Sequence, residues 1–183
     1  MSLGEWISEV IGPEEKFFGK YRGTVLNNVD PERRGRLLVE VPDVQGLVPA
    51  SWAMPCLPFA GVQSGHYVVP PIGAGVWVEF EQGDPQYPIW VGGFWGSMAE
   101  VPGLVQVAGP PPFQNVVVVQ TQLGTTLMLS DMPGPTGGIL LKTNKGALIS
   151  INDVGITLSN GKGASIVLTG TTVAINGPAL VVQ

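Results

Sequence analysis

The chain has one cysteine, Cys56, and one histidine, His66. A single cysteine excludes an intrachain disulfide. One histidine and one cysteine so far apart leave little for a Cys-His or Ser-His nucleophile pair. No HExxH, Walker loop or cysteine–histidine zinc spacing is present, so neither a metal nor another cofactor is expected. Charge is scarce as well, at 13% of residues, with a net charge of −5. Residues 1–100 carry twelve acids and six bases, whereas residues 101–183 carry two and three. This balance speaks against a nucleic-acid partner, which requires a basic footprint to displace counterions. No apolar run approaches membrane-spanning length. The opening MSLGEWISEV lacks the basic and apolar regions of a signal peptide, so synthesis in the cytoplasm is expected.

Glycine (26) and proline (17) are abundant, and 44% of residues are hydrophobic. With many short alternating runs, this predicts an all-β chain rich in tight turns. The last third is the clearest case. Apolar residues recur at every second position in Ile149 and Ile151, Ile156 and Leu158, Ile166 and Leu168, and Val173 and Ile175. Leu180 and Val182 follow the same rule. Glycines 146, 155, 163, 170 and 177 punctuate these strands. That is a one-dimensional array whose strands have one buried face. It contains no helix to cover that face, and a single-chain coil of this length would be poorly closed. Three chains wound about one axis are the expected solution, with the edge of an ordinary β-domain as the alternative. They share the core made by Ile149 to Ile175, with the backbone laddered between chains. The end, Ala179-Leu180-Val181-Val182-Gln183, carries no charged cap, which predicts that another protein covers it.

Ahead of this rod, residues 2–11 read as an amphipathic helix with Leu3, Trp6, Ile7 and Val10 on one face. Strands are expected at Phe17–Asn27, Arg36–Val41, Ser51–Pro55, Val76–Gln82 and Pro88–Trp95, which suit a small barrel of the OB type. In the fourth strand, Val76, Val78 and Phe80 face inward and Trp77, Glu79 and Glu81 outward. The expected division is a helix and lead-in over 1–16, a barrel over 17–100, a Pro/Gly-rich connector over 101–124 and the rod over 125–183. Prolines 110–112 would stiffen the connector.

Few residues suggest chemistry. Glu79 and Glu81 on one strand would stand about 7 Å apart, within the range of an inverting glycosidase, although a solvated barrel face accounts for them as well. Gly73-Ala74-Gly75 lacks the third glycine and the helix of a dinucleotide loop, and reads as a hairpin turn. Arg33, Arg34 and Arg36 form a basic cluster in a charged turn. A cell-wall glycosidase and an OB-fold module for oligosaccharide or nucleic acid are the alternatives to a structural protein.

Two blocks carry a family likeness. YRGTVLNNVDPERRGRLLVEVPDV (21–44) resembles the opening of the OB domain in phage baseplate assembly protein V and the VgrG spike proteins. VVPPIGAGVWVEFEQGDPQYPIWVGGFWG (68–96) looks like its second half, and the rod is similar to the intertwined triangular β-helix that follows. The resemblance implies a non-enzymatic homotrimeric central spike of a phage tail, tailocin or related injection system, in transient contact with a target membrane. The hub domains of VgrG proteins are not within the chain, so a separate hub protein is expected, with Arg33, Arg34, Arg36 and Trp6 as candidate contacts. The only histidine lies in the barrel, so the chain lacks the paired histidines of iron-binding tips. The resemblance therefore implies a PAAR-type tip protein on residues 179–183.

Overall fold

The computed structural model describes residues 15–44, 51–107 and 115–182. The expected N-terminal helix, Trp6, the three prolines at 110–112 and Gln183 lie outside the described residues. Two compact units divide the chain, Met1–Gly96 and Ser97–Gln183.

The first unit contains β1 (Tyr21–Asn27), β2 (Leu38–Glu40), β3 (Met54–Pro55), the small hairpin β4 (Ala60–Gly61) and β5 (Ser64–Gly65), β6 (Gly75–Phe80) and β7 (Pro88–Phe94). Five of these form one sheet in the order β2-β1-β6-β7-β3, with β3 parallel to β7. Leu37 and Ala53, just ahead of β2 and β3, exchange two backbone hydrogen bonds of 3.1 and 2.8 Å. That bridge joins the two ends of the sheet into a barrel, which leaves few strand edges open. Alternation in β6 puts Val76, Val78 and Phe80 inside, with Val25, Leu37, Val39, Ala53 and Trp90. The Trp90 indole reaches a partner while buried: Nε1 donates to the Gly35 carbonyl at 3.1 Å. Phe17, expected in the first strand, precedes it. Its ring caps the barrel core, 6.1 Å from both Tyr21 and Phe80.

The second unit begins with a short helix, α1 (Gly103–Val107). Eight strands follow: β8 (Val116–Gln120), β9 (Thr126–Ser130), β10 (Gly138–Lys142), β11 (Leu148–Asn152), β12 (Gly155–Ser159), β13 (Ser165–Thr169), β14 (Thr172–Ile175) and β15 (Leu180–Val182). They form a single sheet in chain order, each strand antiparallel to the next. The sheet therefore takes in Val116–Gln120, from the stretch expected to be connector. It also corrects the expected ladder between chains. Every inner strand is hydrogen-bonded on both sides by strands of its own chain, so chains can share side chains here but not an inner ladder. Short turns explain this outcome, because they return each strand beside its predecessor at little entropic cost.

One turn is used three times. In Thr121–Thr125, Thr143–Ala147 and Asn160–Ala164, the fifth residue's amide donates to the first residue's side-chain oxygen at 3.1, 3.1 and 3.0 Å. The first residue's amide donates back to the fifth carbonyl at 2.9, 2.8 and 3.1 Å. The fourth residue is always glycine, with φ of 89°, 91° and 102°, a region that side chains disfavour. At the opposite edge, Gly155 starts β12 where a β-carbon would overlap the Leu168 carbonyl oxygen of β13. Gly155→Ala should therefore open the β12–β13 ladder and lower the stability of this unit by roughly 2 kcal/mol. Thermal melts followed by circular dichroism would check this, and the barrel transition should not move.

Candidate functional site

The register of the long sheet aligns its apolar residues. Val117 faces Leu129, which faces Ile139, then Ile151, Ile156, Leu168, Val173 and Val182. Val119, Leu127, Leu141, Ile149, Leu158, Ile166, Ile175 and Leu180 form a second column beside the first. With period-two alternation, both columns lie on one face, two aliphatic side chains on each of the eight strands. Among them are Ile149, Ile151, Ile156, Leu158, Ile166, Leu168, Val173 and Ile175, the residues expected to form a shared core. The columns extend further, into β8, β9 and β10.

The described residues of this unit leave this face open. Its twelve most open members are 39% to 59% exposed. The opposite face carries Thr126, Ser130, Ser150, Thr157 and Thr169, and the chain does bury Thr126, Met128 and Ser130 there. That face also carries Val118, Met128, Leu140, Leu148 and Val167, so the all-aliphatic side is left open while part of the mixed side is covered. Completing the burial of each half-exposed aliphatic side chain is worth about 1 kcal/mol, so the whole face offers on the order of 10 kcal/mol per chain to whatever covers it.

At the far end, β15 pairs among the described residues with β14 alone, which leaves its outer edge open there. Ala179 closes a 3-10 turn (Gly177–Ala179), and Val181 pairs with Ala174 through the backbone. Leu180 and Val182, read from the sequence as part of an end surface, also continue the two aliphatic columns.

In the first unit, the basic cluster is sorted by Asp30. Its buried carboxylate accepts the amides of Glu32 (3.0 Å), Arg34 (2.7 Å) and Arg36 (3.2 Å). It also accepts Nε and Nη2 of Arg36 at 3.0 and 2.7 Å. Arg36 reaches Glu32 as well, at 2.9 Å, and Arg34 meets Glu32 at 2.7 Å. Arg36 is therefore a half-buried clamp inside the turn, while Arg33 and Arg34 lie outside. The Arg36 guanidinium holds the Asp30 carboxyl well below the usual carboxylate range, helped by the three amides and opposed by desolvation. The same bond raises the Arg36 pKa.

Glu79 and Glu81 are not a strand pair. β6 ends at Phe80, and Glu81 opens a 3-10 turn (Glu81–Gly83) in which Gln82 has a φ of 53°. Glu79 is engaged by Lys20 in a short ion pair. Trp77 points outward as expected, with Phe94 4.9 Å away and the Arg22 guanidinium 5.1 Å above its ring. Neither the Asp30 clamp nor the repeated turn was singled out by sequence reading. The signals available were Asp30 and Arg36 bracketing the turn, and Thr/Asn three residues ahead of glycine.

Two family models match the chain. Residues 21–95 match the type VI secretion system/phage-baseplate injector OB domain. Residues 115–181 match the phage baseplate V C-terminal trimerisation domain. Together they span most of the sequence, and they fall on the barrel and on the eight-stranded sheet. No curated protein gives a significant match.

Because its pKa is depressed, ionised Asp30 contributes stability that is fully present above the unfolded-state carboxylate value of about 3.9 and is lost as pH falls below it. Asp30→Asn should lower the barrel's melting temperature at pH 7. It should also flatten that temperature's decline between about pH 4 and pH 2 relative to the unaltered chain. Calorimetry across pH reads both; parallel curves would assign the acid sensitivity elsewhere.

Proposed function

Because the chain belongs to the phage baseplate protein V and spike family, we propose that it is the central spike of a contractile tail or injection-system baseplate, joining the hub to a membrane-piercing tip. Its families are structural baseplate components, and the trimerisation match supports a homotrimer assembled into a tail or secretion particle. The observation that carries the reading is the unbroken pair of aliphatic columns, open along eight strands of one chain.

Simple dimensions support three chains. Five residues of strand span about 17 Å, so three such sheets, set as walls of an equilateral prism, stand about 5 Å from the axis. That is half the ~10 Å spacing of packed sheets, so one layer of aliphatic side chains from each wall fills the interior. Eight strands at ~4.8 Å give walls about 34 Å tall. Such a rod gains stiffness from two sources: a ladder closed within each wall and a dry core shared among the walls.

The ends fit partners of different kinds. The open edge of β15 suits a PAAR-type tip protein, which would pair with its free backbone groups and cover the end of the columns. At the barrel, Arg33 and Arg34 present charge outward toward an acidic hub surface, with Trp6 as an apolar anchor. Arg36 acts indirectly, by holding the turn.

Ile166→Asp or Leu168→Asp buries a charge in the proposed core and should convert the trimer to a monomer with the barrel still folded. Light scattering of the full chain measures the mass, and barrel circular dichroism controls for folding. A stable trimer formed by either variant would remove the shared core from the account.

A further inference from the structure

The eight-stranded sheet and its turns, residues 115–182, carry only five charged side chains, Asp131, Lys142, Lys145, Asp153 and Lys162. Their places are not random. A meander reverses at every strand, so its turns alternate between two edges. Lys145 lies in the turn after β10 and Lys162 in the turn after β12, both on one edge, and Lys142 ends β10 at that same edge. Asp131 lies in the loop after β9 and Asp153 in the turn after β11, both on the other edge. One edge is thus basic and the other acidic, and all five side chains are exposed. Among the described residues, none of the five forms an ion pair within the chain.

We propose that these edges are the complementary halves of a contact between neighbouring copies of this chain, the basic turns of one sheet lying against the acidic turns of the next. The inference rests on the trimer reading above. In a closed three-fold ring every contact is heterologous, so the left edge of one wall meets the right edge of its neighbour. The ring has no step along its axis, so heights carry over from chain to chain. Asp153, between β11 and β12, then sits one strand spacing, about 4.8 Å, from the levels of both Lys145 and Lys162. Asp131, between β9 and β10, sits the same distance below Lys145 and nearer still to Lys142.

Local structure holds both edges in place. The Gly146 and Gly161 backbones of the two basic turns approach too closely to admit a side chain between them. On the acidic edge, Gly134 N donates to Asp153 Oδ2 at 2.9 Å, which steadies that carboxylate and leaves Oδ1 for a neighbour's ammonium. An isolated exposed ion pair contributes little. Here the pairs repeat three times around the ring, and any arrangement of like edges is repelled. The aliphatic core drives association without direction, whereas the edges decide which side of one chain meets which side of the next.

The test uses the full chain in three forms, with thermal dissociation of the trimer followed by light scattering. Lys145→Glu with Lys162→Glu, and separately Asp131→Lys with Asp153→Lys, should each lower the dissociation temperature, more at low salt than at high salt. The four-fold variant, with both edges exchanged, should recover most of that loss. Dissociation temperatures equal to the unaltered chain's at low salt in both two-fold variants would overturn the edge contact and leave the trimer standing. A four-fold variant as weak as the sum of its parts would also overturn it. An unaltered chain that is monomeric at micromolar concentration would instead overturn the trimer, and the edge contact with it.

Discussion

Everything in the second unit depends on one mismatch: its backbone is satisfied within the chain, but its aliphatic face is not. Antiparallel pairing consumes the hydrogen bonds of every inner strand of β8 to β15, so the sheet has little left to offer through its main chain. The same pairing stacks Val117 to Val182 and Val119 to Leu180 into two continuous columns that the described residues of the unit leave open. A surface of this size does not stay wet in a soluble protein. The columns have no gap or polar interruption, so the open aliphatic surface runs the length of the sheet, which fits the match to a trimerisation domain.

The barrel is built on the opposite principle. Its sheet curls until Leu37 meets Ala53, so its core side chains are enclosed by the chain itself. Its charged turn is likewise settled internally. Asp30 gathers three amides and one guanidinium, which turns a run of arginines into one buried clamp, Arg36, and two outward-facing charges. A domain that encloses its own core is thus followed by a sheet whose aliphatic face the described residues leave open.

The repeated turn links these levels. Thr or Asn at the first place and glycine at the fourth fix three turns of one geometry on a single edge. Equal turns keep neighbouring strands in register, register keeps the columns straight, and straight columns allow a narrow dry core. The turns also put the lysines on one side of the sheet and leave the aspartates to the other. Local turn chemistry thereby sets both the straight aliphatic face and the opposite charges of the two edges.

Much of this could be read without coordinates. Period-two alternation identified the inward residues of β6 and the residues that share one aliphatic face in β11 to β14, because side-chain direction in a strand depends only on the parity of position. The family blocks around Asp30 and Trp90 marked the barrel for the same reason, since turn and strand residues there are set locally. Other features required the fold. Nothing local says whether a short strand pairs with its own chain or with a neighbour's, so the ladder was first assigned between chains. The valines of β8 looked like connector because a strand is recognisable only beside its partner. Glu79 and Glu81 looked like a pair until the turn at Glu81 ended the strand between them. Arg36 looked like its neighbours until Asp30, six residues away, folded back onto it. In each case local direction was written in the residue pattern, while partnership depended on which distant atoms the folded chain brought within reach.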